Sequence, residues 1–191
     1  MIYKASSKNI KYALKALKRG EIIIYPTDTI YGFGVDATNE KAINKLNNLK
    51  GRSDKPLSII ISSVKELESY SNIEENIKMK IMNRSKGRFT FLLKKKNLVL
   101  PNILTANSLK IGIRIANHPF IKELAKQFNK PITTTSVNKQ GEEAMTKNEE
   151  IASAFPEILF FNDLNMKSGI ESTIIDYTGN EEKIVRIGSG L

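Results

Sequence analysis

Four polar segments, each at the end of an apolar run, concentrate side chains that could do chemistry. The first is Pro26-Thr27-Asp28-Thr29-Ile30-Tyr31-Gly32-Phe33-Gly34. It puts two threonine hydroxyls, a carboxylate and a phenol into a loop with flexible glycines. The plain structural alternative is a capped turn, in which Thr and Asp bond the local backbone. It is no Walker A loop, because the Gly-Lys-Ser/Thr ending is missing. The second segment, Lys50-Gly51-Arg52-Ser53-Asp54-Lys55-Pro56, places Lys50, Arg52 and Lys55 close together after a helical pattern. Such cations either complement a helix dipole, at about 0.3–1 kcal/mol each, or clamp phosphates, Arg by forking two oxygens and Lys as a point charge. The third, Thr133-Thr134-Thr135-Ser136-Val137-Asn138, offers neutral donors to an anion or a nucleoside. β-Branched threonine also simply favours strands. The fourth is Ser168-Gly169-Ile170-Glu171-Ser172-Thr173.

Two isolated arginines add to these segments. Arg114 lies inside the apolar run Ile111–Ile115, and Arg186 stands near the end of the chain. Charges in such surroundings are usually paired. The partner is either a bound carboxylate or phosphate, or an acid of the chain itself. His118 is the only histidine and precedes Pro119 at a helix start, which reads as a structural place. A lone histidine builds no metal site.

The elements that must position these groups alternate between helical and strand patterns, which argues for an α/β or α+β domain. Ile10, Ala13, Leu14 and Leu17 share a helical face, with Gly20 as a stop; Ala42, Ile43, Leu46 and Leu49 suggest a second helix closed near Gly51. Ser63 and Glu66, and again Thr146 and Glu149, have capping-box spacing. A polar helix is expected over 74–83 and an amphipathic one over 119–128. Strands are expected over 22–25, 57–61, 88–95, 111–115, 132–135, 158–161, 172–176 and 183–187. That implies one sizeable twisted sheet, with the polar segments at strand ends, where α/β sheets place their sites. Strand order does not follow from the sequence.

Composition narrows the classes. The chain has 191 residues, enough for one core, and is expected to be a single domain over 1–191. There is no cysteine, which excludes disulfides and thiolate chemistry. No run approaches the roughly 20 apolar residues of a membrane span, and 1–11 has no signal-peptide core, so a cytoplasmic place is expected. The net charge of +10 suits a nucleotide, RNA or another anionic partner, or solubility alone, since lysines are spread along the chain.

In this order the segments are far more specific than any one alone. The sequence resembles the YrdC-like family of L-threonylcarbamoyladenylate synthases. The resemblance runs from about Lys8 to Gly188 through the Pro-Thr-Asp-Thr-Ile-Tyr-Gly run, Lys-Gly-Arg…Lys-Pro-Leu, Arg114, Thr-Ser-x-Asn, Gly-Ile-Glu-Ser-Thr and Val185-Arg186-Ile187-Gly188. It departs at Lys86-Gly87-Arg88-Phe89-Thr90, where the family usually has Pro-Gly-Pro-x-Thr, at Val137 for alanine, at Gln140-Gly141 for Ser-Gly, and at Ala116 where proline is common. The resemblance implies a YrdC-like α/β fold: a twisted, mostly mixed β-sheet with flanking helices around a basic concave cleft. It implies that L-threonine, bicarbonate or CO₂ and ATP are joined without a protein nucleophile, with Mg²⁺ on the phosphates and no tightly bound organic cofactor. The product would pass to a tRNA threonylcarbamoyl transferase. Thr29, Arg114, Thr134 and Ser172 would hold threonine; Lys50, Arg52, Lys55, Ser136, Asn138 and Arg186 would serve ATP; Tyr31 would wall the pocket. Two other readings stay open: a double-stranded RNA or tRNA binder of the same fold without this chemistry, and a paralogue acting on another small carboxylate. Weak, sequence-indifferent RNA binding is expected of the enzyme and tight binding of the RNA binder, and no membrane partner is expected.

Overall fold

The computed structural model describes residues 1–52, 55–96, 100–166 and 169–190. Ser53, Asp54 and Ser168 of the polar segments lie outside the described residues.

Helix α1 (Ile10–Lys18) forms because its apolar residues recur at helical spacing, and Ile10, Ala13, Ala16 and Leu17 are buried. It stops at Gly20, whose φ of 70° favours glycine. Helix α2 (Glu40–Lys50) starts where the Asn39 side chain accepts the Ala42 amide, and ends at Gly51 in the left-handed region. Helix α5 (Pro119–Phe128) has Pro119 at its first position, and His118 accepts the Phe120 amide through Nδ1. The shorter helices are α3 (Leu67–Tyr70), α4 (Glu75–Arg84) and α6 (Asn148–Ala154).

The strands are β1 (Ile2–Lys4), β2 (Ile23–Tyr25), β3 (Gly32–Gly34), β4 (Ser58–Ile61), β5 (Ser71–Asn72), β6 (Phe89–Lys95), β7 (Lys110–Ile115), β8 (Ile132–Ser136), β9 (Leu159–Asn162), β10 (Thr173–Asp176) and β11 (Lys183–Arg186). Among the described residues they form one mixed sheet in the order β1-β9-β2-β3-β8-β4-β7-β6-β10-β11, with β5 beside β6. Four pairs are parallel (β1–β9, β2–β9, β4–β7, β6–β10) and the other pairs are antiparallel. The alternation of side chains along each strand sends two core layers to opposite faces. Ile23, Tyr25, Ile60, Ile132 and Phe161 pack under α1 and α5. Ile24, Phe33, Ile59, Ile61 and Ile113 join the larger layer with Ile43 and Leu46 of α2, Leu67 of α3 and Ile81 of α4. Each such fully buried side chain stabilises the fold by about 1.5–3 kcal/mol.

The eight expected strands and the helices of 10–17, 42–49, 74–83 and 119–128 are present, with ends shifted by a residue or two. Three short strands, β1, β3 and β5, were not expected. Ser63 and Glu66 do form a capping box. Thr146 and Glu149 do not: α6 has Lys147 as its N-cap and no side-chain cap, so Thr146 falls outside the helix. The reading of Gly32 and Gly34 as flexible loop glycines is corrected by β3. A Cβ on Gly34 would lie 2.5 Å from Tyr25 Cε1 and 2.9 Å from Ile132 Cγ2, so glycine is there for close packing.

Candidate functional site

The polar segments meet at one end of the sheet. The loop joining β2 to β3 carries Thr27 to Tyr31, β8 brings Thr134 to Ser136, β4 begins at Ser58, β7 ends around Arg114, and the approach to β10 carries Glu171 and Ser172. Together with Arg186 of β11 they line a cavity of about 160 Å³. Side-chain alternation explains the convergence. In register, Ile60 faces Ile132 and Arg114, while Ser58 faces Thr134. Ile60 and Ile132 lie under the helices, so the polar positions of the same face open into the cavity beyond α5.

Arg114 is 7% exposed. Its Nη2 donates to Asp28 Oδ1 at 2.6 Å and to Thr29 Oγ at 3.1 Å. Between the alternatives for a buried guanidinium's partner, the structure shows an acid of the chain, and the cavity still has Arg114 on its wall. Asn117 steadies the pair, donating through Nδ2 towards Asp28 Oδ2 at 3.3 Å and to the carbonyls of Ser85 and Gly87. The same amide therefore ties the loop that carries Lys86 and Arg88 to the site.

Proton positions follow from the donors. Thr27 Oγ donates to Ile30 O at 2.6 Å, so its contact with Thr29 Oγ at 2.9 Å has Thr29 as donor. With Arg114 donating to it as well, Thr29 has only lone-pair capacity left for a ligand. Ser136 Oγ donates to Asn138 Oδ1 at 2.7 Å, which also receives Lys50 Nζ at 2.7 Å. The Asn138 amide donates to Glu142 O. The expectation that the Ser136–Asn138 end supplies neutral donors is thus corrected: Ser136 presents an acceptor. Thr90 and Ser172 share a hydrogen bond of 2.7 Å.

Arg186 also lines the cavity, held by protein groups. Nη1 donates to Glu171 Oε2 at 2.6 Å, and Nε and Nη2 donate to Ser172 O at 3.1 and 2.9 Å. Tyr31, 1% exposed, donates to Asp163 O and accepts from Asp163 N, and packs edge-on against Phe160. Burial pushes the Tyr31 phenol up from its ordinary value.

Thr29, Tyr31, Arg114, Thr134, Ser136, Ser172 and Arg186 are therefore brought to one cavity; Lys50, Arg52, Lys55 and Asn138 are not on its lining. Lys50 is 3% exposed and uses its ammonium donors on Ser136 O (2.6 Å), Asn138 O (2.8 Å) and Asn138 Oδ1. Burial, then the neighbouring Arg52 charge, pull its pKa down to about 7. Lys50 thus ties the end of α2 to the turn after β8 and acts on Ser136 through that turn. Arg52 reaches Asn47 through Nε at 3.2 Å, while its Nη2 is buried with no hydrogen-bond partner among the described residues. Burial pulls its pKa down to about 10. Lys55 is exposed beside Pro56, which does line the cavity. His118 donates from Nε2 to Asp163 Oδ2 at 3.0 Å while capping α5, a structural place as expected. The residues missed as site members are Asp28, Ser58, Thr90, Asn117 and Glu171. Asp28 and Glu171 stood inside the polar runs, and Thr90 closed the Lys86–Thr90 stretch; Ser58 is brought in by strand register and Asn117 by the turn between β7 and α5, neither of which the sequence signals.

The profile of the Sua5/YciO/YrdC family, described as telomere recombination, matches residues 15–188. The chain belongs to this family. A relative from Methanocaldococcus jannaschii, named a putative threonylcarbamoyl-AMP synthase, is 36% identical over 100% of this chain and 91% of its own length. Two structures of P. abyssi Sua5, one complexed with L-threonine, superpose with TM-scores of 0.92 and 0.90 at 28% identity. They match 98% of this chain, which spans 60% and 56% of those two Sua5 chains. The mixed sheet with flanking helices is thus the YrdC/Sua5 fold, and at family level the chain is an enzyme of nucleotidyltransferase-like type.

Proposed function

We propose that this YrdC/Sua5 chain is an L-threonylcarbamoyladenylate synthase serving tRNA modification. The observation that carries the reading is one small polar cavity in which Arg114, anchored by Asp28 and Thr29, faces the hydroxyls of β8 and of the approach to β10. A volume of about 160 Å³ suits one small amino acid; a cavity of about 150 Å³ holds benzene. ATP would lie outside it, over the Arg52–Lys55 stretch, with Arg186 between.

The threonine nitrogen bonds to the carbon of CO₂ and loses a proton. The resulting carbamate oxygen bonds to the α-phosphorus of ATP, and the bond from that phosphorus to pyrophosphate breaks. No step needs a protein nucleophile. The chain's part is to hold two anions side by side and to meet the charge that develops on the phosphoryl oxygens. A unit pair at about 4 Å is worth roughly 4 kcal/mol at an effective dielectric of 20. Arg52 fits this role: a buried guanidinium nitrogen without a partner among the described residues would be relieved by an incoming phosphate oxygen. Lys50 and Asn138 would position Ser136, whose lone pairs suit a ribose hydroxyl or a water on Mg²⁺. Mg²⁺ would enter with the nucleotide, on its phosphates; among the described residues no group of three or more His, Asp or Glu is placed to hold an ion. The product would go to a threonylcarbamoyl transferase acting on tRNA.

The test is pyrophosphate release from ATP with threonine and bicarbonate present, or with either omitted. Release should require both, with an AMP-linked threonylcarbamoyl product. Release indifferent to threonine would overturn the substrate assignment.

A further inference from the structure

Ser58 opens β4 in the middle of the sheet, between β8 and β7. It faces Thr134 in the register of β8. On its other side the hydroxyl leans over Gly112 of β7, where a Cβ would lie 2.3 Å from Ser58 Oγ and 3.1 Å from Ser58 Cβ. Glycine is needed at 112 for that space. Ser58 lines the cavity, and its hydroxyl bonds no described residue. Several of its neighbours are committed: Thr27 donates to Ile30 O, Thr29 donates to Thr27, and Ser136 donates to Asn138. Thr90 and Ser172 share one hydrogen bond, which leaves one proton of that pair, on the side where Arg186 donates to Ser172 Oγ. Thr135 also lacks a described partner, but it pairs with Phe33 of β3, on the far side of β8 from β4.

We propose that Ser58 is a further substrate-binding residue, donating its hydroxyl proton to the carboxylate of the amino acid beside Arg114. The proposal rests on the reading of the cavity as the amino-acid site. Its argument is the polarity of the wall. Thr29 and Ser136 keep only lone pairs, so they suit the ligand's N–H and O–H groups. An ionised carboxylate needs donors instead. Arg114, whose Nη1 and Nε bond no described residue, and Ser58 supply them from adjacent strands of the same sheet face. Gly112, two residues before Arg114 on β7, leaves the gap through which the serine hydroxyl reaches that side.

The experiment is calorimetric binding of L-threonine and of L-threoninamide, whose carboxylate is replaced by a neutral amide, to wild type, Ser58→Ala, Gly112→Ala and the double variant. A hydrogen bond to a charged group should make threonine at least about tenfold weaker in Ser58→Ala. ATP affinity and the ligand-free melting temperature should stay as in wild type, because the hydroxyl supports no protein group. The preference for threonine over threoninamide should shrink. Gly112→Ala should cost threonine binding in the wild-type background and little more in Ser58→Ala, since both act on one hydroxyl. Unchanged threonine affinity in Ser58→Ala, or equal losses for threonine and threoninamide, would overturn the assignment and leave the substrate reading standing. A wild type that binds ATP and no threonine would overturn the substrate reading and this inference with it.

Discussion

Arg114 decides how the site works at the scale of single residues. A guanidinium in an apolar strand must have an anion, and Asp28 supplies it from the loop after β2. In the proposed reading the substrate carboxylate would be a second anion on the same fork. Removing the first makes the second more valuable. Asp28→Asn should lower stability by about 3 kcal/mol, the cost of stranding a buried charge. Added threonine should raise the melting temperature of Asp28→Asn by more than it raises that of wild type, because a ligand stabilises the state it binds. Arg114→Lys should lose the threonine-induced shift, since an ammonium cannot fork a carboxylate. Melting curves with and without threonine, in the presence of ATP, decide the matter. Equal shifts in all three proteins would remove Arg114 from the substrate site.

Among the elements, the start of α5 carries a second structural pair that frames the cavity from behind. His118 caps the helix with Nδ1 and donates from Nε2 to Asp163, whose backbone in turn brackets the Tyr31 hydroxyl. The hydrogen bond from His118 holds the Asp163 carboxyl below its ordinary value of 3.8. A depressed carboxyl contributes stability that is fully present above the unfolded value and is lost as pH falls through the folded one. Wild type should therefore lose stability on acidification below pH 3.8, and His118→Ala, which has no side-chain donor, should lose less over the same range. Acid unfolding followed by circular dichroism reads the difference. Parallel acid titrations in the two proteins would show that the contact does not couple Tyr31's wall to the helix.

For the molecule as a whole the question is what a charge of +10 does. Exposed cations sit on α1 at Lys11, Lys15 and Lys18 and on α5 at Lys122 and Lys126, as well as along the rest of the chain. Such a distribution neutralises phosphates without reading bases. RNA binding should be indifferent to sequence and should fall steeply between about 50 and 200 mM salt, as counterion release requires. Filter binding of several tRNAs across that range is the measurement. Tight binding at physiological salt that discriminates among tRNAs would make the cavity secondary and favour the RNA-binding reading.

Much of this protein is local, and the local part was legible in the residues. Helical spacing at Ile10 to Leu17, Pro119 after His118 and glycine after Lys50 act within a turn or two of chain, so α1, α5 and the end of α2 could be placed. The polar runs at strand ends announced Thr29, Ser136 and Ser172, and Arg114 and Arg186 stood out as isolated charges in apolar surroundings. What those groups face is set by strand register, which joins residues far apart in the chain. Only the tertiary structure pairs Arg114 with Asp28, occupies Lys50 with the carbonyls after β8, and opens Ser58 over Gly112. It also decides which hydroxyls still have a proton to give. That depends on where each donor's nearest acceptor lies in space, a relation that neither spacing nor composition along one chain encodes.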